Sequence, residues 1–249
     1  MSRKFVEPPR YPGPIRWAYG VTAVPKRRDT LLPETLLSLR LAGFDRPRLF
    51  VDGEDDPYSW KREFGLEVTA HSPTLRTYGN WVLAMAELYI REPEAERYAI
   101  FQDDVALVRN LRTYLDACEY PGAGYWNLFT FFRNEELVKG KAGWVPSDQR
   151  GLGALALVFD RPAVLTLLTH QHMVERPQDP HRGWRAVDGG IVTALRKAGY
   201  TEYVHAPSLV QHTGTASSMG NKPFPPARTF PGEGFDAATL IPPTPQSVV

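Results

Sequence analysis

The strongest constraint on this fold is a hydrophobic period that switches repeatedly before residue 105. IRWAYGVTAV (15–24) reads as a strand with small residues near its end. After a polar, basic loop at Pro25–Asp29, Thr30 can cap the helix-like run LLPETLLSLRLAG, which stops at Gly43. RLFVDGE (48–54) is a short apolar strand running into an acidic turn, and LEVTA (66–70) reads as a third strand. Beyond Gly79 and Asn80, WVLAMAELYIRE places Trp81, Met85 and Leu88 at helical spacing, and YAIFQDDV (98–105) is again a strand. Strands alternating with helices predict a parallel, Rossmann-related unit of the α/β class.

The second half mixes its signals. YWNLFTF (125–131) and GALALVF (153–159) read as strands, RPAVLTLLTHQH (161–172) and DGGIVTALRKAG (188–199) as helices, and YVHAPSLVQH (203–212) as extended chain. No internal repeat is seen. The expected organisation is an arm at 1–14, one domain with a mixed central sheet flanked by helices at 15–221, and a tail at 222–249. That tail holds seven prolines and little periodicity, and is expected along the surface or partly disordered.

Composition narrows the class. A net charge of +1 gives no general pull toward nucleic acid or anionic membrane. Cys118 is the only cysteine, so no intramolecular disulfide can form, which fits a reducing compartment. MSRKFVEPPRYPGP has no apolar core for a signal peptide, and no window approaches 18 uninterrupted apolar residues. The expectation is a cytoplasmic enzyme or binding protein without a membrane anchor.

An α/β sheet binds ligands beyond the carboxyl ends of its strands. Thr22 and the Lys26-Arg27-Arg28 loop follow the first strand, Asp52 ends the second, and Asp103 and Asp104 end the strand of YAIFQDDV. Neighbouring strands would gather these groups into one crevice, both basic and acidic, suited to an anionic ligand with a divalent cation. No G-x-G-x-x-G follows the first strand and no G-x-x-x-x-G-K-[ST] occurs, so dinucleotide and P-loop fingerprints are absent.

The order YGVTAVPKRRDTLLPETLLSL, VDG, GNWVLAMAEL, YAIFQDDV, GLGALALVFDR, VDGGIVTAL resembles the GT-A class of nucleotide-sugar glycosyltransferases over roughly residues 16–215. QDDV stands where that class carries its D-x-D motif. APSLVQHTGTASSMG (206–220) is similar to the C-terminal segment of N-acetylglucosaminyltransferase IV-like enzymes.

The resemblance implies a GT-A-like fold with a nucleotide-binding half at 15–105 and an acceptor half at 106–221. It implies Asp104 as direct ligand of Mn²⁺ or Mg²⁺, His212 as a second ligand, and Asp103 near the donor ribose or a metal-bound water. Asp52, Thr22, Arg27, Gly79 and Asn80 would contact the nucleotide, Gly151 and Gly153 would underlie the donor sugar, and Asp188 would be the general base. Each has a plainer reading: turn acids at Asp52 and Asp103–Asp104, a solvated loop at Arg27, helix caps at Asn80 and Asp188, a loop glycine at Gly151 and Gly153.

The implied activity is metal-dependent, inverting transfer from a nucleoside diphosphate sugar, a UDP-sugar first, to an acceptor hydroxyl on modified DNA, a protein or a glycan. A chain without a stem suggests a bacterial or phage enzyme, in the latter case acting in host cytoplasm. The alternatives are a sugar-phosphate nucleotidyltransferase and a non-catalytic nucleotide-sugar-binding module. Trp144 and Trp184 are candidates to line the acceptor site. Lys139, Lys141, Arg150 and Arg185 are candidates for a nucleic-acid groove. His170, His172 and His181 are discounted as a zinc site, since His170 and His172 lie two apart on one expected helix.

Overall fold

The computed structural model describes residues 14–174, 186–214 and 225–242. Trp184, Arg185, His181 and the SSMG of the C-terminal run lie outside these residues.

The first half alternates as its pattern demands: β1 (Trp17–Ala23), α1 (Leu31–Leu41), β2 (Arg48–Asp52), α2 (Pro57–Phe64), β3 (Val68–His71), α3 (Arg76–Arg91) and β4 (Arg97–Gln102). The second half contains β5 (Val105–Leu107), α4 (Leu111–Ala117), β6 (Gly124–Asn127), α5 (Phe132–Leu137), β7 (Gly143–Pro146), β8 (Ala156–Asp160), α6 (Arg161–Thr169), α7 (Gln171–Val174), α8 (Val187–Lys197), β9 (Thr201–Ala206) and β10 (Val210–His212). Eight strands form one mixed sheet in the order β3-β2-β1-β4-β8-β6-β9-β7. Strands β3, β2, β1 and β4 run parallel, while β8 is antiparallel to both β4 and β6. The expected α/β class, with helices on a mixed central sheet, is what the chain adopts.

Helices cover both faces, which is why β1 and β4 are apolar on successive residues. On one face Trp81, Met85 and Leu88 of α3 pack with Val164 and Leu167 of α6 and Ile191 and Leu195 of α8. On the other, Leu32 and Leu39 of α1 and Trp60 of α2 pack with Phe44, Phe101 and Trp126. Residues of the proline-rich segment close this second face: Ala227 and Ala237 are buried, and Phe230, Phe235 and Leu240 pack against the core. Residues 225–242 are therefore docked onto the domain, with Arg109 bridged to Asp236.

Two boundaries differ from the sequence reading. Helix α3 starts at Arg76, so Gly79 and Asn80 lie inside its first turns rather than capping it. The side chain of Asn80 instead binds the neighbouring strands, as described below. The run 161–172 breaks at His170, whose Nδ1 accepts from the His172 backbone N–H, so these histidines do not share one helix. Among the described residues, no helix is long and apolar enough to cross a membrane.

Candidate functional site

Parallel pairing sets the carboxyl ends of β1, β2, β3 and β4 along one edge, with Thr22 level with Gln102 and Asp52 level with His71. Just past β4 the chain turns through Asp103 and Asp104 into β5. The backbone of β5 is gripped on one side by hydroxyls of α1: Thr35 bonds both N–H and C=O of Val105, and Ser38 those of Leu107. On its other side β5 pairs with β10, setting His212 opposite Val105. Both aspartates are thus held by a double clamp, and a residue 108 positions downstream reaches them.

The buried carboxylates share one cation. The 3₁₀ turn Pro25–Arg27 after β1 brings Arg27 back over the strand ends. Its guanidinium lies 2.5 Å from Asp103 Oδ1 and 2.6 Å from Asp104 Oδ2. Asp103 Oδ2 also accepts from the Val24 N–H at 3.0 Å. His212 Nε2 lies 3.0 Å from Asp104 Oδ2. Arg27, Asp103 and Asp104 are 8%, 3% and 1% exposed, so Coulomb attraction here is little screened by solvent. Burial pushes the Asp103 carboxyl up to about 6; Arg27 opposes that rise and the Asp104 charge adds to it. Arg27, expected to contact the nucleotide, is the counter-ion of the acidic pair.

The residues partly fit a divalent ion. Asp104 Oδ1 is buried without a hydrogen-bond partner among the described residues, a costly state for a carboxylate oxygen. Asp104 Oδ2 is hydrogen-bonded to His212 Nε2 at 3.0 Å, so an imidazole nitrogen and a carboxylate, both metal-ligating types, adjoin at this corner. No group of three His, Cys, Asp or Glu side chains able to hold a metal occurs among the described residues, so two protein ligands would need completion by a bound ligand's oxygens. Gly214 belongs to the same corner: a Cβ there would collide with Asp104 Oδ2 and approach His212 Nε2.

A small pocket of about 30 Å³ opens beside this cluster, lined by Thr22, Arg27, Asp52, Thr77, Asn80, Gln102 and Asp103. Thr22 donates its hydroxyl to the Phe101 carbonyl. Asp52 Oδ1 accepts from the Leu75 N–H at 2.6 Å, fixing the loop that starts α3. Asn80 spans β2 and β3, donating to the Phe50 carbonyl and bonding His71 Nδ1 at 2.8 Å. Gly79 packs closely on Leu75 and is not among the pocket-lining residues.

Asp188 lies on the second position of α8. Its Oδ2 accepts from the Gly153 N–H at 3.1 Å and its Oδ1 from the Gly189 N–H at 2.9 Å. Burial raises its pKa against those two hydrogen bonds. Gly151 and Gly153 have φ of +65° and +78°, and a Cβ on Gly151 would strike the Asp188 carbonyl and Val192. Gln102 ties this region to the acidic pair, since its side chain donates to the Ala154 carbonyl at 3.0 Å.

Trp144 is spent on packing: it stacks on Trp126 at 4.7 Å and donates to Cys118 Sγ. Arg150 is 3.9 Å from Asp148. Gln102, Thr77 and Gly214 were not singled out from the sequence. Gln102 and Gly214 adjoin QDDV and QHTG, and that adjacency was the available signal.

No family model matches the chain, and no curated protein matches it. Among solved structures it is similar to A197 from STIV, at 12% identity over 78% of this chain and 85% of that one, TM-score 0.41. It is also similar to a Bacillus anthracis protein assigned as a glucose-1-phosphate thymidylyltransferase, in complex with sucrose, at 10% identity over 82% of this chain and 92% of that one, TM-score 0.47. With both TM-scores under 0.5, what the crevice does rests on its own geometry.

Proposed function

We propose that the crevice binds a nucleoside diphosphate sugar and transfers the sugar to an acceptor hydroxyl, as GT-A glycosyltransferases do. The supporting observation is the convergence of Arg27, Asp103, Asp104 and His212 at the carboxyl edge of the parallel strands, beside the Thr22–Asp52 pocket. A strand-end crevice that holds both an arginine and a buried carboxylate pair suits a diphosphate bridged through a cation.

Asp104 and His212 are the residues that would hold Mn²⁺ or Mg²⁺, which would supply charge neutralisation on the departing diphosphate. Arg27 turns part of its fork from the carboxylates to the phosphate oxygens. Thr22 and Asp52 face the nucleoside. Asp188 takes the proton of the acceptor hydroxyl as that oxygen bonds to the anomeric carbon and the sugar–phosphate bond breaks. Its raised pKa strengthens it as a base while the Gly153 N–H holds its orientation. One base without a nucleophile gives inversion.

The test is a thermal-shift panel of nucleotide sugars with Mn²⁺, UDP-sugars first, because a ligand of the folded state raises apparent stability. Binding to the wild type that vanishes in Asp104→Ala, with Asp188→Asn binding donor but failing to transfer, supports the assignment. Full transfer by Asp188→Asn overturns the base. Diphosphate release from a nucleoside triphosphate and a sugar phosphate would make the chain a nucleotidyltransferase instead. Binding with neither transfer nor hydrolysis would make it a binding module.

A further inference from the structure

Behind Asp188 lies a buried polar network with no part in the scheme above. Asn127 closes β6 and Glu202 lies on the adjacent strand β9; they are 1% and 2% exposed. The Asn127 amide nitrogen donates to Glu202 Oε1 at 3.2 Å and to the Leu152 carbonyl at 3.3 Å. Its Oδ1 accepts from the Phe129 N–H, which fixes which end of the amide is the donor. The Leu152 carbonyl and the Gly153 N–H belong to one peptide group. That group therefore accepts from Asn127 on one side and donates to Asp188 Oδ2 on the other.

Glu202 anchors the start of the same loop. Its Oε2 accepts from the Ser147 hydroxyl at 2.5 Å. Gln149, at φ +58°, pairs its side-chain amide with both backbone groups of Glu202, donating to the carbonyl at 2.8 Å and accepting from the N–H at 2.9 Å. A side-chain amide thus continues the ladder that β7 makes with β9 after the strand itself has ended. The loop 147–153 is pinned at both ends to Glu202 and Asn127, and its last N–H holds Asp188.

We infer that Asn127 and Glu202 are positioning residues for Asp188, acting through the Leu152–Gly153 peptide. Hydrogen bonds in series polarise one another, so a donor on the Leu152 carbonyl makes the Gly153 N–H a better donor to the carboxylate. The inference rests on the proposed role of Asp188 for its catalytic consequence, but the geometric link stands apart from it.

Two readouts separate the two claims. In wild type, the Gly153 amide proton is expected downfield in the NMR spectrum and slow to exchange, with exchange at least tenfold faster in Asn127→Ala and in Asp188→Asn. In transfer assays, Asn127→Ala is expected to lower kcat at least tenfold with donor affinity within twofold of wild type, and Glu202→Gln, which keeps an acceptor toward Asn127, to retain most of it. Ser147→Ala removes the hydrogen bond to Glu202 and the two that Ser147 Oγ accepts from Gln149, leaves Asn127 in place, and serves if Asn127→Ala does not fold; its expected kcat loss is a few-fold, again without loss of donor affinity. Unchanged Gly153 exchange in a folded Asn127→Ala or Ser147→Ala overturns the link. A changed exchange in a protein that transfers no sugar leaves the link standing and removes the proposed function. Equal loss of donor affinity and kcat in these variants overturns positioning in favour of a general structural role.

Discussion

Two groups of carboxylates, the buried Asp103–Asp104 pair and the buried Glu202 with the half-buried Asp188, are stabilised differently. Asp103 and Asp104 share the Arg27 guanidinium. Among the described residues, the hydrogen bonds to Glu202 and Asp188 come from neutral donors: Ser147 and Asn127 for the first, the Gly153 and Gly189 N–H groups for the second. Two adjacent buried carboxylates repel, and here the Arg27 guanidinium offsets that repulsion. For a single carboxylate, neutral hydrogen bonds satisfy the lone pairs and partly offset burial. The first cluster is thus held by a charge and the second by neutral hydrogen bonds.

The largest expected effect tests the charged cluster. Arg27→Met keeps the stem but leaves two carboxylates buried without their cation, a loss of about 3–5 kcal/mol measured by urea unfolding. Mn²⁺ should return part of that stability to Arg27→Met and less in Arg27→Met/Asp104→Ala. A loss under about 1 kcal/mol would mean the pair is stabilised by something other than Arg27. The second cluster should respond less. Glu202→Ala leaves the Ser147 hydroxyl and one Asn127 N–H unpaired and is expected to cost about 1–3 kcal/mol, with no recovery on adding Mn²⁺. Recovery there would erase the distinction between the clusters.

The parallel half was readable because both of its signals are local: apolar period and strand-end polarity. The acidic turn after β4 and the basic loop after β1 could be placed on one edge from strand order alone. Their mutual pairing could not, because Arg27 meets Asp103 only once a 3₁₀ turn folds back, a side-chain geometry that no spacing encodes. Helix α2 was overlooked although its ends are marked: Asp56 accepts from the Tyr58 and Ser59 N–H groups, Pro57 opens the helix, and Gly65 at φ +64° ends it. Asn127 and Glu202 were invisible for a different reason. They are 75 positions apart and read as ordinary strand residues until β6 and β9 pair. The docking of residues 225–242 was hidden by proline content, which reports lost hydrogen-bond donors rather than lost apolar contact.

The smallest effect, and the one that most sharpens the comparison, is in pH. Burial raises the Glu202 pKa, with the Ser147 and Asn127 hydrogen bonds only partly opposing it. A carboxyl whose folded pKa exceeds its unfolded value of about 4.3 contributes stability below that value and loses it as pH rises through the folded pKa. Glu202→Gln removes this dependence while keeping the shape and an acceptor toward Asn127. Its stability relative to wild type should therefore improve from pH 4 to pH 8, as measured by unfolding at each pH. A relative stability that instead worsens with rising pH would show that the Glu202 charge is favourably compensated in the fold. The second cluster would then hold a hidden cation-like partner, as the first does.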